Sequence, residues 1–176
     1  LDPANWRRAF VSDGTQLFQS SDAGAHWSYM GKVAGLGRIQ SLKGLTVQSK
    51  LVLLAGGQGG VFRLIDPPTS GKQTDVWTGY GNGLPNALVS DIEYDPTDDV
   101  LVVGTFGRGV WSLPSASTTL TSTVTIVITG AASGTNNITI RRKDGNPLVL
   151  EIVVGSATSR FPLALIQKIN VKGTAA

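Results

Sequence analysis

K-L-V-L-L-A-G-G-Q-G-G-V-F-R-L, residues 50–64, and D-V-L-V-V-G-T-F-G-R-G-V-W-S-L, residues 99–113, lie over one another without a gap. The overlay sets Leu53 on Val102, Gly60 on Gly109, Val61 on Val110, Phe62 on Trp111 and Leu64 on Leu113. Each copy reads as an apolar strand, a glycine-rich reversal and a second strand carrying a large apolar residue. Glycine suits the reversal because a tight hairpin demands positive φ and close backbone approach. An earlier copy, R-R-A-F-V-S-D-G-T-Q-L-F-Q-S at 7–20, puts Phe18 where the others have Phe62 and Trp111.

Working outward, a further strand precedes the second and third copies, in G-L-G-R-I-Q-S-L-K-G-L-T-V (35–47) and G-L-P-N-A-L-V-S-D-I-E-Y-D-P (83–96). Ile92 and Tyr94 alternate with Asp91 and Glu93, the pattern of a half-buried strand closed by a D-P turn. Trp27 and Trp77 open a fourth strand after the loop. Copies recur at the spacing of propeller blades, roughly 40–50 residues. Residues 1–113 are therefore expected to hold the end of one four-stranded antiparallel blade, one whole blade and three strands of another. Closing a ring takes about four blades or more, so the expected propeller is incomplete. Its missing blades are expected in a longer precursor or in another chain.

Composition fits an all-β reading. Of 176 residues, 41% are hydrophobic, 15% are charged and 22 are glycine, which suits a folded chain of short strands and turns rather than a disordered one. A helical pattern shows only briefly, near Leu163 to Ile169, where alternation competes. The absence of cysteine excludes disulfides, thiolate nucleophiles and Cys-type zinc sites, and one histidine disfavours His-based metal sites. The longest apolar run, within T-V-T-I-V-I-T (123–129), is too short to span a bilayer, so no transmembrane segment is expected. Leu1 opens the chain with neither a methionine nor a signal region, as expected of a chain that begins inside a precursor.

Nine Lys/Arg face ten Asp/Glu in residues 1–113, whereas six face two in 114–176, so the net charge of +3 arises from the C-terminal third. Arg141, Arg142 and Lys143 form one cluster beside a D-G turn without aromatic neighbours. A solvated hairpin end, and no nucleic-acid partner, is the expectation.

Ser20-x-Asp22-x-Gly24-x-x-Trp27 resembles the Asp-box, S-x-D-x-G-x-x-W, of the BNR-repeat β-propellers found in sialidases, xyloglucanase-type glycoside hydrolases, sortilin-type receptors and bacterial surface proteins. Residues 83–111 are similar to the closing blade of the xyloglucanase-like and sialidase-like members. The resemblance covers about two-thirds of the chain and bears on fold more than on activity, since one fold hosts many functions. It implies that the Asp-box is a structural hairpin turn between the third and fourth strands of a blade. The residue chemistry agrees: Asp22 can accept from backbone N–H groups ahead of it, Gly24 can take positive φ, and Trp27 can be buried between sheets. His26 reads as an exposed turn residue, since Ser, Asp and His without triad geometry make no nucleophile. In I-D-P-P-T-S-G-K-Q-T-D-V-W (65–77) only the tryptophan of the box survives.

A glycosidase needs two carboxyl groups about the scissile bond. Asp91, on the expected innermost strand, is the best-placed candidate, but no partner acid is assignable. Asp98 and Asp99 read as solvated turn carboxylates. D-P-T-D-D (95–99) lacks the spacing of a dedicated calcium loop, so calcium is carried only as an option and no cofactor is expected. The sialidase pattern wants an arginine cluster; Arg38, Arg63 and Arg108 are available, and none sits in a transferable motif. The glycine runs at 56–60 and 104–109 lack the following helix and Lys-Ser/Thr pair of a phosphate loop.

Residues 114–122, P-S-A-S-T-T-L-T-S, read as a flexible linker. Beyond it, four strand-like runs (T-V-T-I-V-I-T, N-I-T-I-R-R, L-V-L-E-I-V-V and I-Q-K-I-N-V) predict a small β-sandwich or β-roll at 123–176, with K-D-G-N as a hairpin signal. That stretch loosely resembles β-rich units of large bacterial surface proteins, and Asn137-Ile138-Thr139 matches a glycosylation sequon. The expectation is a non-catalytic scaffold, adhesion or interaction segment of a secreted or cell-surface protein, partnered by other chains or by missing blades, with carbohydrate as a further option. The alternative is the C-terminal fragment of an extracellular glycoside hydrolase.

Overall fold

The computed structural model describes residues 1–70, 77–81, 84–85, 87–122, 124–129, 138–143, 146–162 and 166–172. They form an all-β structure in two compact units, Leu1–Thr121 and Ser122–Ala176. The loop segment 71–76, the joining segment 130–137 with Asn137 of the sequon, and Asp144 and Gly145 of the hairpin signal lie outside the described residues.

The first unit holds three antiparallel sheets, each a simple meander. The first sheet is β1 (Ala9–Ser12), β2 (Leu17–Ser20) and β3 (Ser28–Gly31). The middle sheet is β4 (Ile39–Val47), β5 (Lys50–Gly57), β6 (Gly60–Ile65) and β7 (Thr78–Tyr80), and the last is β8 (Val89–Asp95), β9 (Val100–Thr105) and β10 (Gly109–Pro114).

Strand β5 explains why the middle sheet is central. Leu53 and Ala55 share one core with Leu17 and Met30 of the first sheet, while Val52 and Leu54 share another with Val89, Ile92, Leu101 and Val103 of the last. A strand covered on both faces reads as a continuous apolar run rather than an alternation. Each such Val or Leu side chain contributes about 1.5–3 kcal/mol relative to exposure. The first and last sheets, in contrast, are covered on one face only among the described residues. Val61 on β6 is 2% exposed, whereas its repeat equivalent Val110 on β10 is 72% exposed.

Register corrects the ungapped overlay in one strand. In the β5–β6 hairpin Gly57 pairs with Gly60 and Leu53 with Leu64; in the β9–β10 hairpin Thr105 pairs with Gly109 and Leu101 with Leu113. The later loop is one residue longer. With Phe62 on Trp111, the true equivalent of Leu53 is therefore Leu101, not Val102. Because side chains alternate across a strand, that single residue decides which face each one joins.

The segment expected as a linker differs from its reading. Residues Ala116–Leu120 form a short helix, α1, whose Ala116 and Leu120 are fully buried in the core between the middle and last sheets. Its polar composition hid it, because two small apolar contacts carry the docking while other groups bond inward. Asp99 supplies the missing cap: its Oδ1 accepts from the Ser117 N–H at 2.8 Å and its Oδ2 from Ser117 Oγ at 2.8 Å. The cap residue by position, Ser115, makes no side-chain cap hydrogen bond. At the other end the guanidinium of Arg63, only 2% exposed, donates to the carbonyls of Thr119 and Leu120 and lies over the Tyr80 ring. Arg8 does the same one sheet earlier, lying over Phe10 and donating to the carbonyls of Pro67 and Pro68.

The second unit pairs β11 (Val124–Thr129) with β15 (Ile166–Lys172) in parallel, and β12 (Ile138–Lys143), β13 (Asn146–Val154) and β14 (Ala157–Pro162) antiparallel. Ile126, Ile128 and Ile169 of one sheet share a core with Ile138, Leu150, Ile152 and Val154 of the other. Strand β14 occupies what reads from sequence as a joining segment; the Gly155-Ser156 turn, with Gly155 at φ 59°, is the hairpin signal that marks it. Arg141 is not simply a solvated hairpin end. It stands opposite Glu151, which is 6% exposed and accepts from Arg141 at 2.6 Å and from Arg160 on the other side at 3.0 Å. The Arg141 hydrogen bonds first, with Arg160 adding, hold the Glu151 carboxyl below the usual carboxylate range.

Candidate functional site

The turn between β2 and β3 assembles Ser20, Asp22, Gly24 and His26. Ser20 Oγ donates to Asp22 Oδ1 at 2.8 Å and accepts from the Gly24 N–H at 2.8 Å. Asp22 Oδ1 also accepts from the His26 N–H at 2.9 Å, and Oδ2 lies 2.6 Å from His26 Nδ1. Gly24 sits at φ 91°, a left-handed conformation that side chains disfavour. The polar cluster is thus consumed in closing a hairpin: the serine hydroxyl is committed to aspartate, and histidine does not contact it. Trp27 departs from its expected burial and is 43% exposed, whereas Trp77, in the core between the first and middle sheets, is 9% exposed. The difference follows from which face of each sheet has a neighbour.

The His26 backbone N–H first, with the His26 ring and Ser20 adding, holds the Asp22 carboxyl far below the ordinary carboxylate range. A depressed folded-state value means that the carboxylate stabilises the hairpin above the unfolded value of about 3.9 and loses that contribution as pH falls toward the folded value. The Gly24 and His26 amide resonances are expected to titrate together with a midpoint well below about 3.9, and Asp22→Ala to abolish the transition. A midpoint at the ordinary carboxylate value would show that these bonds do not persist in solution.

Asp91 stands exposed on β8, its Oδ1 accepting from the N–H of its neighbour Ile92 at 2.9 Å. Glu93 pairs with Lys43. Asp99, expected as a solvated turn carboxylate, instead caps α1 and accepts from Tyr94 Oη at 2.9 Å, and Asp95 closes its own turn through the Thr97 N–H. Ser117 first, then Tyr94, keeps the Asp99 carboxyl below its usual range. Among the described residues no group of three or more His, Cys, Asp or Glu is placed to hold a metal ion. Arg63 is buried as a structural donor, while Arg38 and Arg108 are exposed. No helix among the described residues is long and apolar enough to cross a membrane.

A concave feature of the first unit lies elsewhere. A cavity of about 220 Å³ opens between the last sheet, at Leu101, Val103, Trp111 and Leu113, and the middle sheet, at Val61 and Tyr80. It is smaller than the roughly 300–1,000 Å³ of pockets for drug-sized ligands, and among the described residues that line it the Tyr80 phenol is the ionisable group. Among the described residues strand β10 beside it is an edge, paired to β9 on one side only. Sequence reasoning aligned Trp111 with Phe62 but did not foresee a groove, because the groove depends on what pairs with β10.

No family model matches the chain, and neither a curated protein nor a solved structure matches it.

Proposed function

We propose that the chain is a non-catalytic scaffold or interaction segment of a larger secreted or cell-surface protein, and that its three meanders are consecutive blades of an incomplete β-propeller. The observation that carries this reading is the contrast between sheets. The middle meander is buried on both faces, while matching positions of its neighbours are open: Val110 against Val61, Trp27 against Trp77. Apolar residues repeated at a position that is core in one copy and exposed in another support covering by further protein. The hydrogen-bond geometry of the Asp-box supports a structural role for that motif.

Two measurements on the purified chain test the proposal: hydrolysis across a panel of glycosides and polysaccharides, and sedimentation over a range of concentrations. The expected result is no hydrolysis, together with association through the open faces that Val110→Asp or Trp27→Asp abolishes. Hydrolysis that disappears in Asp91→Asn would overturn the reading in favour of a glycosidase.

A further inference from the structure

We infer that the free edge of β10 and the groove beside it form a docking site for one extended strand of another polypeptide, of the pattern Trp-x-x-apolar-Gly, added antiparallel to β10. The inference rests on the interaction role proposed above and names its surface and ligand.

The chain itself displays the complex twice. Strand β2 is covered by β3, within Trp27-Ser28-Tyr29-Met30-Gly31, and β6 is covered by β7, within Trp77-Thr78-Gly79-Tyr80-Gly81. In both, the residue three after the tryptophan is buried, Met30 at 1% and Tyr80 at 7%. Strand β10 is the repeat equivalent of β2 and β6, and among the described residues the last sheet ends there. The lining of the groove points to the same occupant. Val61, Tyr80, Leu101, Trp111 and Leu113 are the equivalents of Leu17, Met30, Leu53, Phe62 and Leu64, which all belong to the core that buries Trp77. The groove is that core with the covering strand removed. Main-chain hydrogen bonds along the edge would supply affinity, and the apolar pocket would select the side chains that alternate into it.

A second copy of this chain is a poorer fit, because β3 and β7, its strands of this pattern, are already paired within their own sheets. Trp111 is 40% exposed, which leaves its ring reachable by an incoming strand.

A synthetic peptide of residues 25–33, A-H-W-S-Y-M-G-K-V, serves as the probe, with titration calorimetry and amide hydrogen exchange as readouts. The expected result is one-to-one binding that slows exchange at Val110–Leu113. Trp111→Asp should weaken it at least about tenfold, and Lys32→Asp, at an exposed residue just after β3, should leave it intact. Should Trp111→Asp fail to fold, the exchange pattern of the unaltered protein decides alone. No binding at about 1 mM peptide, or binding without protection at β10, would overturn the inference. Concentration-dependent self-association that protects β10 and is lost in Trp111→Asp but kept in Val110→Asp would overturn the strand assignment while leaving the interaction role standing, whereas hydrolysis sensitive to Asp91→Asn would remove that role itself.

Discussion

Replacing Gly57 by alanine is expected to lower the stability of the first unit by about 3 kcal/mol or more, and its melting temperature by more than about 10 °C. A Cβ at Gly57 would stand 2.1 Å from the carbonyl oxygen of Arg38 and 3.2 Å from Leu36 Cδ1. The first neighbour is backbone and cannot rotate away, so the β5–β6 hairpin and the 36–38 segment would have to separate. Gly60, three residues later, isolates the other reason for glycine. It sits at φ 99°, and a Cβ there would meet nothing within 4 Å. Gly60→Ala therefore carries only the left-handed conformational cost, about 1–2 kcal/mol. Urea unfolding followed by tryptophan fluorescence ranks the two. Equal losses would show that the hairpin yields at Gly57 and that close approach is not what glycine serves there.

The two roles of these glycines also show what the sequence conveys and where it falls short. Glycine-rich reversals between apolar runs are enough to mark β5–β6 and β9–β10, since hairpins need such residues at such places. They do not reveal loop length, and one extra residue at Phe106-Gly107-Arg108 shifts the pairing of β9. Local chemistry was legible at Ser20, Asp22 and Gly24, because the side-chain bonds of Ser20 and Asp22 join residues within a few positions of one another. Trp27 was not: its exposure depends on a neighbouring sheet. Helix α1 was hidden for the same reason, since its cap, Asp99, lies 18 positions from Ser117. The groove at Trp111 is likewise a property of an unpaired edge, which no local pattern encodes.

Arg63→Met is expected to release α1 from the first unit at a cost of about 3 kcal/mol. The guanidinium is desolvated, and burial pushes its pKa below the ordinary arginine value, yet arginine stays charged in a protein. Its hydrogen bonds to the Thr119 and Leu120 carbonyls satisfy groups that a helix C-terminus leaves open. Methionine keeps an apolar stem against Tyr80 but donates nothing, so these carbonyls lose that donor inside the core. Lysine retains the charge without the planar fork and should recover only part of the loss. Amide exchange separates this account from general destabilisation. Amides of residues 116–121 should exchange faster in Arg63→Met by a larger factor than those of β5 and β9, and Tyr80→Phe, which removes only the 2.7 Å contact between Tyr80 Oη and Thr119 Oγ1, should show the same pattern more weakly. A uniform rise in exchange across the sheets, with α1 no more affected than β5, would mean that Arg63 supports the sheet packing as a whole rather than anchoring the helix.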